Sequence, residues 1–152
     1  MVETGDKAPG FELTSDKGES VKLSDFRGHK VVLYFYPAAG TPGCTQQACA
    51  LRDVYPQIEA KDAVVIGISP DEPEKLVKFR EKYDLPFVLL SDPDHEVADA
   101  FGAWGEKTSF GKTRMGLIRS HFVVDEEGRL TDAEVKVKPL STADLALKVI
   151  EV

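Results

Sequence analysis

Cys44 and Cys49 are the only thiols in this 152-residue chain, with four residues between them. A close cysteine pair outside an oxidising compartment points to redox or metal chemistry more readily than to a structural staple. Metal is not expected. A tetrahedral zinc site wants about four ligands, and His29, His95 and His121 show no ligand-like spacing to the cysteines. The pair is therefore read as thiol chemistry, with Cys44 as the candidate nucleophile.

That chemistry depends on the elements that hold the sulfur. Lys30 to Tyr36 (KVVLYFY) is a continuous run of β-branched, aromatic and other apolar residues, as expected of a strand buried on both faces. Pro37 ends it, because proline cannot donate to a sheet ladder. After Ala38-Ala39-Gly40, Thr41 suits a helix N-cap and Pro42 the first helical position. Ala48, Leu51 and Val54 mark the buried side of this helix, and Pro56 is expected to break or kink it.

Cys44 then lies in the first turn, where backbone N–H groups lack intrahelical partners and the helix dipole is positive. Both favour a thiolate. The dipole contributes only about 0.3–1 kcal/mol, so a cation from elsewhere in the chain is also needed. Cys49 raises a geometric problem. In an intact helix, positions i and i+5 have Cα atoms roughly 8–9 Å apart, beyond the ~7 Å limit for a disulfide. Either Cys49 is an inert, packed cysteine, or the helix must unwind locally for a bridge to form.

The rest of the chain alternates strands and helices. Phe11–Leu13 and Ser20–Leu23 read as short strands around Ser15-Asp16-Lys17-Gly18. Ala63–Ser69 is a second buried strand, and Pro73–Tyr83 an amphipathic helix with Leu76, Val77 and Phe79 inward. Phe87–Leu90 is a strand, His95–Phe101 a short helix and Gly102–Met115 an irregular loop. Leu117–Val124 and Leu130–Lys136 form a hairpin, and Ser141 starts a final helix. This order predicts one domain over residues 1–152, with an α/β fold whose mixed central sheet is flanked by helices on both faces. The Cys44 helix would begin in the crevice where open α/β sheets place their chemistry.

Composition narrows the partners. The net charge is −7, with 42% hydrophobic and 30% charged residues. An acidic chain with scattered lysines and arginines is not expected to bind nucleic acid. No apolar run reaches the ~20 residues of a membrane span, and Met1–Gly10 lacks a signal-peptide pattern. A cytoplasmic protein with no membrane partner is expected.

Tyr34–Asp53, YFYPAAGTPGCTQQACALRD, resembles the active-site segment of peroxiredoxins, and within them the bacterioferritin-comigratory-protein (PrxQ-like) subfamily. GDKAPGFEL near the start, WGEK at Trp104–Lys107 and GLIRSHFVVDEEGRL at Gly116–Leu130 fit the same pattern in the same order. Pro37, Thr41 and Cys44 form the specific Pro-x-x-x-Thr-x-x-Cys element.

The resemblance implies a thioredoxin-like fold with an N-terminal β-hairpin extension, and a peroxidase acting on hydrogen peroxide and alkyl hydroperoxides without a cofactor. Cys44 would be the peroxidatic cysteine, and Thr41 would hold the peroxide. Pro37 would shield the thiolate, and Arg119 would be the missing cation. Cys49 would be the resolving cysteine, forming a Cys44–Cys49 disulfide that thioredoxin or a similar dithiol reopens. The resemblance also implies a monomer, as similar proteins often are. The rival functions are a peroxide sensor that relays oxidation, and a disulfide oxidoreductase, which would normally carry Cys-x-x-Cys.

Several positions depart from the subfamily pattern. Ala38-Ala39 replaces a pair that is commonly charged, and Leu51 replaces a usual Phe. Gln47 stands where Glu is usual, so the carboxylate that would orient Arg119 is absent. His121 stands where Thr is usual. On a strand it shares a face with Arg119, which suggests that it tunes the Cys44 pocket. Arg52 is expected to pair with a carboxylate, and Trp104 to serve as a pocket wall or a loop anchor. His29 and His95 are expected at the surface, and Asp71–Glu74 as a solvated helix start.

Overall fold

The computed structural model describes residues 2–151, without the side chain of Ser109. In chain order its strands and helices are β1 (Glu12–Ser15), β2 (Ser20–Lys22), β3 (Val31–Phe35), α1 (Pro42–Ala60), β4 (Val64–Ser69), α2 (Pro73–Tyr83) and β5 (Val88–Ser91). They continue with α3 (Glu96–Ala100), β6 (Trp104–Ser109), β7 (Lys112–Leu117), β8 (Ser120–Val124), β9 (Leu130–Val135) and α4 (Ser141–Ile150).

Seven strands form one sheet in the order β2-β1-β5-β4-β3-β8-β9. β3, β4 and β5 run parallel, and β8, β9, β1 and β2 pair antiparallel around them. The expected mixed sheet is present, and the N-terminal hairpin extends it beyond β5.

β3 lies near the middle because all five of its residues are apolar and buried. Its alternating side chains feed two cores. Val32 and Tyr34, with Tyr36 beyond the strand end, pack on Leu51 and Ile58 of α1, Leu76 and Phe79 of α2, and Ala143 and Ala146 of α4. Val31, Leu33 and Phe35 face Val97 and Ala98 of α3, together with Phe101, Leu117 and Phe122. The period-two geometry of a strand makes this division. Among the described residues no helix is long and apolar enough to cross a membrane.

Four local expectations need correction. Gly102–Met115 is not an irregular loop, because β6 and β7 pair from Trp104↔Leu117 to Ser109↔Lys112. Phe110 and Gly111 both take positive φ at the turn, 52° and 76°, the geometry of a tight two-residue hairpin. Lys112–Met115 are all exposed, so no apolar alternation marks the strand. Leu117 closes β7 and does not open the next strand, which begins at Ser120. α1 runs through Pro56 to Ala60. The burial of Leu51 and Ile58 on either side of Pro56 outweighs its missing hydrogen bond. In α2, Leu76 and Phe79 are buried but Val77 is only half-buried.

Candidate active site

α1 begins where β3 ends, and Cys44 sits in its first turn with 1% of its surface exposed. Thr41 is the N-cap by backbone conformation, with φ −76° and ψ 156°, but its hydroxyl makes no cap bond. This corrects the expectation of a plain side-chain cap. The hydroxyl donates instead to the Ala38 carbonyl at 2.7 Å, closing the loop before the helix. The first-turn N–H groups are thus not taken up by the Thr41 side chain, and they remain a positive rim around the sulfur. The Thr41 oxygen keeps its lone pairs for an outside donor.

Arg119 lies between β7 and β8, 75 residues from Cys44 in sequence, and its Nη2 donates to Cys44 Sγ at 3.5 Å. A guanidinium at that distance stabilises negative charge on sulfur through a charge-assisted hydrogen bond. Its Nη1 donates to Gln47 Oε1 at 2.6 Å. The missing carboxylate therefore does not leave Arg119 unguided, because the amide oxygen of Gln47 replaces it. Gln47 is fully buried, three residues after Cys44 on the same helix face. Gly43 makes room for the guanidinium, since a Cβ there would come within 2.9 Å of Arg119 Nη2.

Cys49 is half-buried on α1, and both thiols are free. Arg52, one turn further on, donates to Asp53 Oδ1 at 3.1 Å and to the Tyr83 carbonyl at 2.8 Å. It therefore has a carboxylate partner, as expected, and a tie to the end of α2. Pro37 is half-buried in the loop joining β3 to α1. Tyr34 stacks on Tyr36, with ring centroids 5.3 Å apart. Burial pushes the Tyr34 phenol well above its usual range, and Tyr36 and Cys44 add to the effect. Tyr34 is a neutral phenol at any working pH. Burial first, then Arg114 and Arg119, pulls Lys107 below the usual lysine range.

Other expectations change. Asp71 is not solvated. Its side chain is 8% exposed and accepts from the Ala39 N–H at 2.7 Å and from the Ser69 hydroxyl at 2.9 Å. It pins the loop that leads to Thr41. His95 is half-buried and stacks flat on Trp104, with centroids 3.7 Å apart and 4° between planes. Trp104 packs with the core facing α3, so it anchors the β6–β7 hairpin. His29 is exposed, as expected.

His121 is buried on β8 and does not touch the sulfur. Its Nδ1 lies 2.9 Å from Thr142 Oγ1, and Gln47 Nε2 donates to the same oxygen at 2.9 Å. Arg119 lies outside β8, which begins at Ser120, so strand spacing does not relate the two residues; they are linked through Gln47 and Thr142. The role of Gln47 could have been found from its helical spacing to Cys44. Thr142, 95 residues from Gln47, carries no signal in the sequence, and neither does the anchoring by Asp71.

The chain is similar to known proteins over most of its length. Residues 4–133 match the model of the AhpC/TSA family. The chain is 53% identical to the peroxiredoxin Bcp of Bacillus subtilis over 137 residues, covering 90% of this chain and 87% of the relative. It is 50% identical to the peroxiredoxin Bcp of Escherichia coli K12 over 129 residues, covering 85% and 83%. Among solved structures, the fold superposes on peroxidoxin BcpB of Mycobacterium tuberculosis with TM-score 0.87, 36% identity and coverage of 99% and 97%. The bacterioferritin comigratory protein of Xanthomonas campestris, whose structures concern alkyl peroxide reduction, gives TM-score 0.86, 32% identity and coverage of 93% and 90%.

Proposed function

The chain belongs to the AhpC/TSA family as a thiol-dependent peroxidase of the Bcp/PrxQ type, and on that premise we propose that Cys44 is its peroxide-attacking nucleophile. One observation carries the assignment: a buried sulfur in the first turn of α1 receives a hydrogen bond from Arg119 at 3.5 Å. The thiolate attacks the distal oxygen of the peroxide. A sulfur–oxygen bond forms, the oxygen–oxygen bond breaks, and the leaving oxygen takes a proton to depart as water or an alcohol. Cys44 becomes a sulfenic acid.

Arg119 stabilises charge on the attacking sulfur and on the oxygens that develop charge as the bond breaks. Thr41, whose proton is committed to Ala38, accepts from the peroxide O–H and orients it. Pro37 limits water at the mouth of the site. The Cys49 thiol then attacks the Cys44 sulfur, releasing water and forming an intramolecular disulfide. A dithiol donor such as thioredoxin reopens it by exchange. Hydrogen peroxide and alkyl hydroperoxides are the substrates of this scheme.

The protein is further proposed to be a one-domain cytoplasmic monomer. The large hydrophobic residues exposed among those described are Phe110, Met115 and Leu140, and the chain carries a net charge of −7.

Intact-mass analysis after one equivalent of peroxide tests the assignments. The wild type should lose two hydrogens. Cys49→Ser should gain oxygen, and Cys44→Ser should do neither and should consume no peroxide. A disulfide-linked dimer in the wild type would overturn intramolecular resolution. Peroxide turnover by Cys44→Ser would overturn the nucleophile assignment.

A further inference from the structure

A continuous line of hydrogen bonds runs from the Cys44 sulfur to the far side of β8. From Cys44 Sγ it passes to Arg119, then to Gln47 Oε1 at 2.6 Å. From Gln47 Nε2 it reaches Thr142 Oγ1 at 2.9 Å, then His121 Nδ1 at 2.9 Å. It ends where His121 Nε2 lies 3.1 Å from Glu134 Oε2. Gln47 and Thr142 are fully buried, and His121 is 2% exposed. The Glu134 side chain is 68% exposed.

Donor and acceptor chemistry constrains this line from both ends. A guanidinium can only donate, so Gln47 must turn its oxygen to Arg119 and its amide N–H to Thr142. A carboxylate can only accept, so His121 turns an Nε2–H to Glu134. Thr142 Oγ1 and His121 Nδ1 meet between these fixed ends.

We propose that His121 is a positioning residue for the peroxide reaction: its ring, held by Glu134, aligns Thr142 and Gln47 so that Arg119 faces Cys44. This rests on the reading of Cys44 as the nucleophile and Arg119 as its cation.

His121 stands in the wall of a cavity of about 550 Å³ between the β8–β9 hairpin and α4, with Glu134 in the same lining. Tyr34 is its register partner on β3.

The test is the second-order rate constant of Cys44 oxidation by hydrogen peroxide in His121→Ala, His121→Gln, Thr142→Val and the double variant His121→Ala/Thr142→Val. Glutamine can accept from Thr142 and donate to Glu134. His121→Ala and Thr142→Val should each lose about tenfold, the range of a broken buried hydrogen bond. The double variant should lose no more than either, and His121→Gln should stay within about twofold of wild type.

Wild-type rates in His121→Ala, or a His121→Gln variant as slow as His121→Ala, would each overturn the proposal. If His121→Ala unfolds, Thr142→Val and His121→Gln test the same line from its other members. Cys44→Ser separates the two readings. Peroxide consumption by that variant sinks the nucleophile, whereas an inert Cys44→Ser with a wild-type-like His121→Ala sinks only the positioning role.

Discussion

Gly43 is occupied by a neighbour where a side chain would go. A Cβ there would meet Arg119 Nη2 at 2.9 Å and Pro139 Cγ at 3.6 Å. The nearer atom is the end of a flexible side chain, so Gly43→Ala would move the guanidinium and spare the backbone. Alanine also favours a helix by up to ~1 kcal/mol over glycine. Gly43→Ala should therefore unfold within about 1 kcal/mol of wild type yet react with peroxide about tenfold to a hundredfold more slowly. Thermal unfolding and stopped-flow peroxide kinetics check the two halves. The residue scale is where specificity for this chemistry resides: one atom's displacement of Arg119 leaves the thiol without its cation.

In the proposed scheme, helix α1 holds Cys44 for attack and then releases it for resolution. Cys44 and Cys49 both lie inside α1, where their spacing cannot support a disulfide. Its first turn is weakly held. Gly43 is a poor helix former, and Thr41 makes no side-chain cap bond. A missing cap alone costs about 0.5–2 kcal/mol. Leu51 and Ile58 fix the later turns in the core. Hydrogen exchange should therefore show the amides of the Cys44–Cys49 segment losing protection on oxidation, while those beyond Leu51 stay protected. Equal protection in the reduced and oxidised forms would rule out this division of the helix. Asp71 serves the same element from outside, because its bond to Ala39 fixes the loop from which α1 starts.

At the scale of the whole molecule, β1 pairs the N-terminal hairpin to β5, and one arginine ties the hairpin's turn to α2. Arg80 of α2 binds Asp16 through Nε at 2.5 Å and Nη2 at 3.0 Å, and also the carbonyl oxygens of Leu85 and Phe87. The Asp16 side chain is 4% exposed. Removing its partner strands a buried charge, which costs about 3–5 kcal/mol. Arg80→Ala should lose that amount in chemical denaturation and several degrees in Tm. The peroxide rate constant of the folded fraction should be unchanged, since Arg80 makes no contact with the Cys44–Arg119 pair. A large loss of rate without a loss of stability would contradict this separation.

The elements with strong local signals were legible in the chain. β3 is a continuous apolar run, α2 begins and ends where its pattern does, and the β1–β2 turn is marked by its residues. The expected first-turn position of Cys44 pointed to the proposed nucleophile, and the small helix-dipole contribution there implied the need for a cation. Weakly patterned segments were not legible. The exposed β6–β7 hairpin lacks alternation because neither face of its second strand is buried over Lys112–Met115. The continuation of α1 past Pro56 rests on core burial, which outweighs a local penalty. The line from Cys44 to Glu134 joins α1, the approach to β8, α4 and β9. Local sequence determined which residue types could do the chemistry. Only the tertiary structure decided which of them meet, because hydrogen bonds between such distant positions depend on how sheet and helices pack.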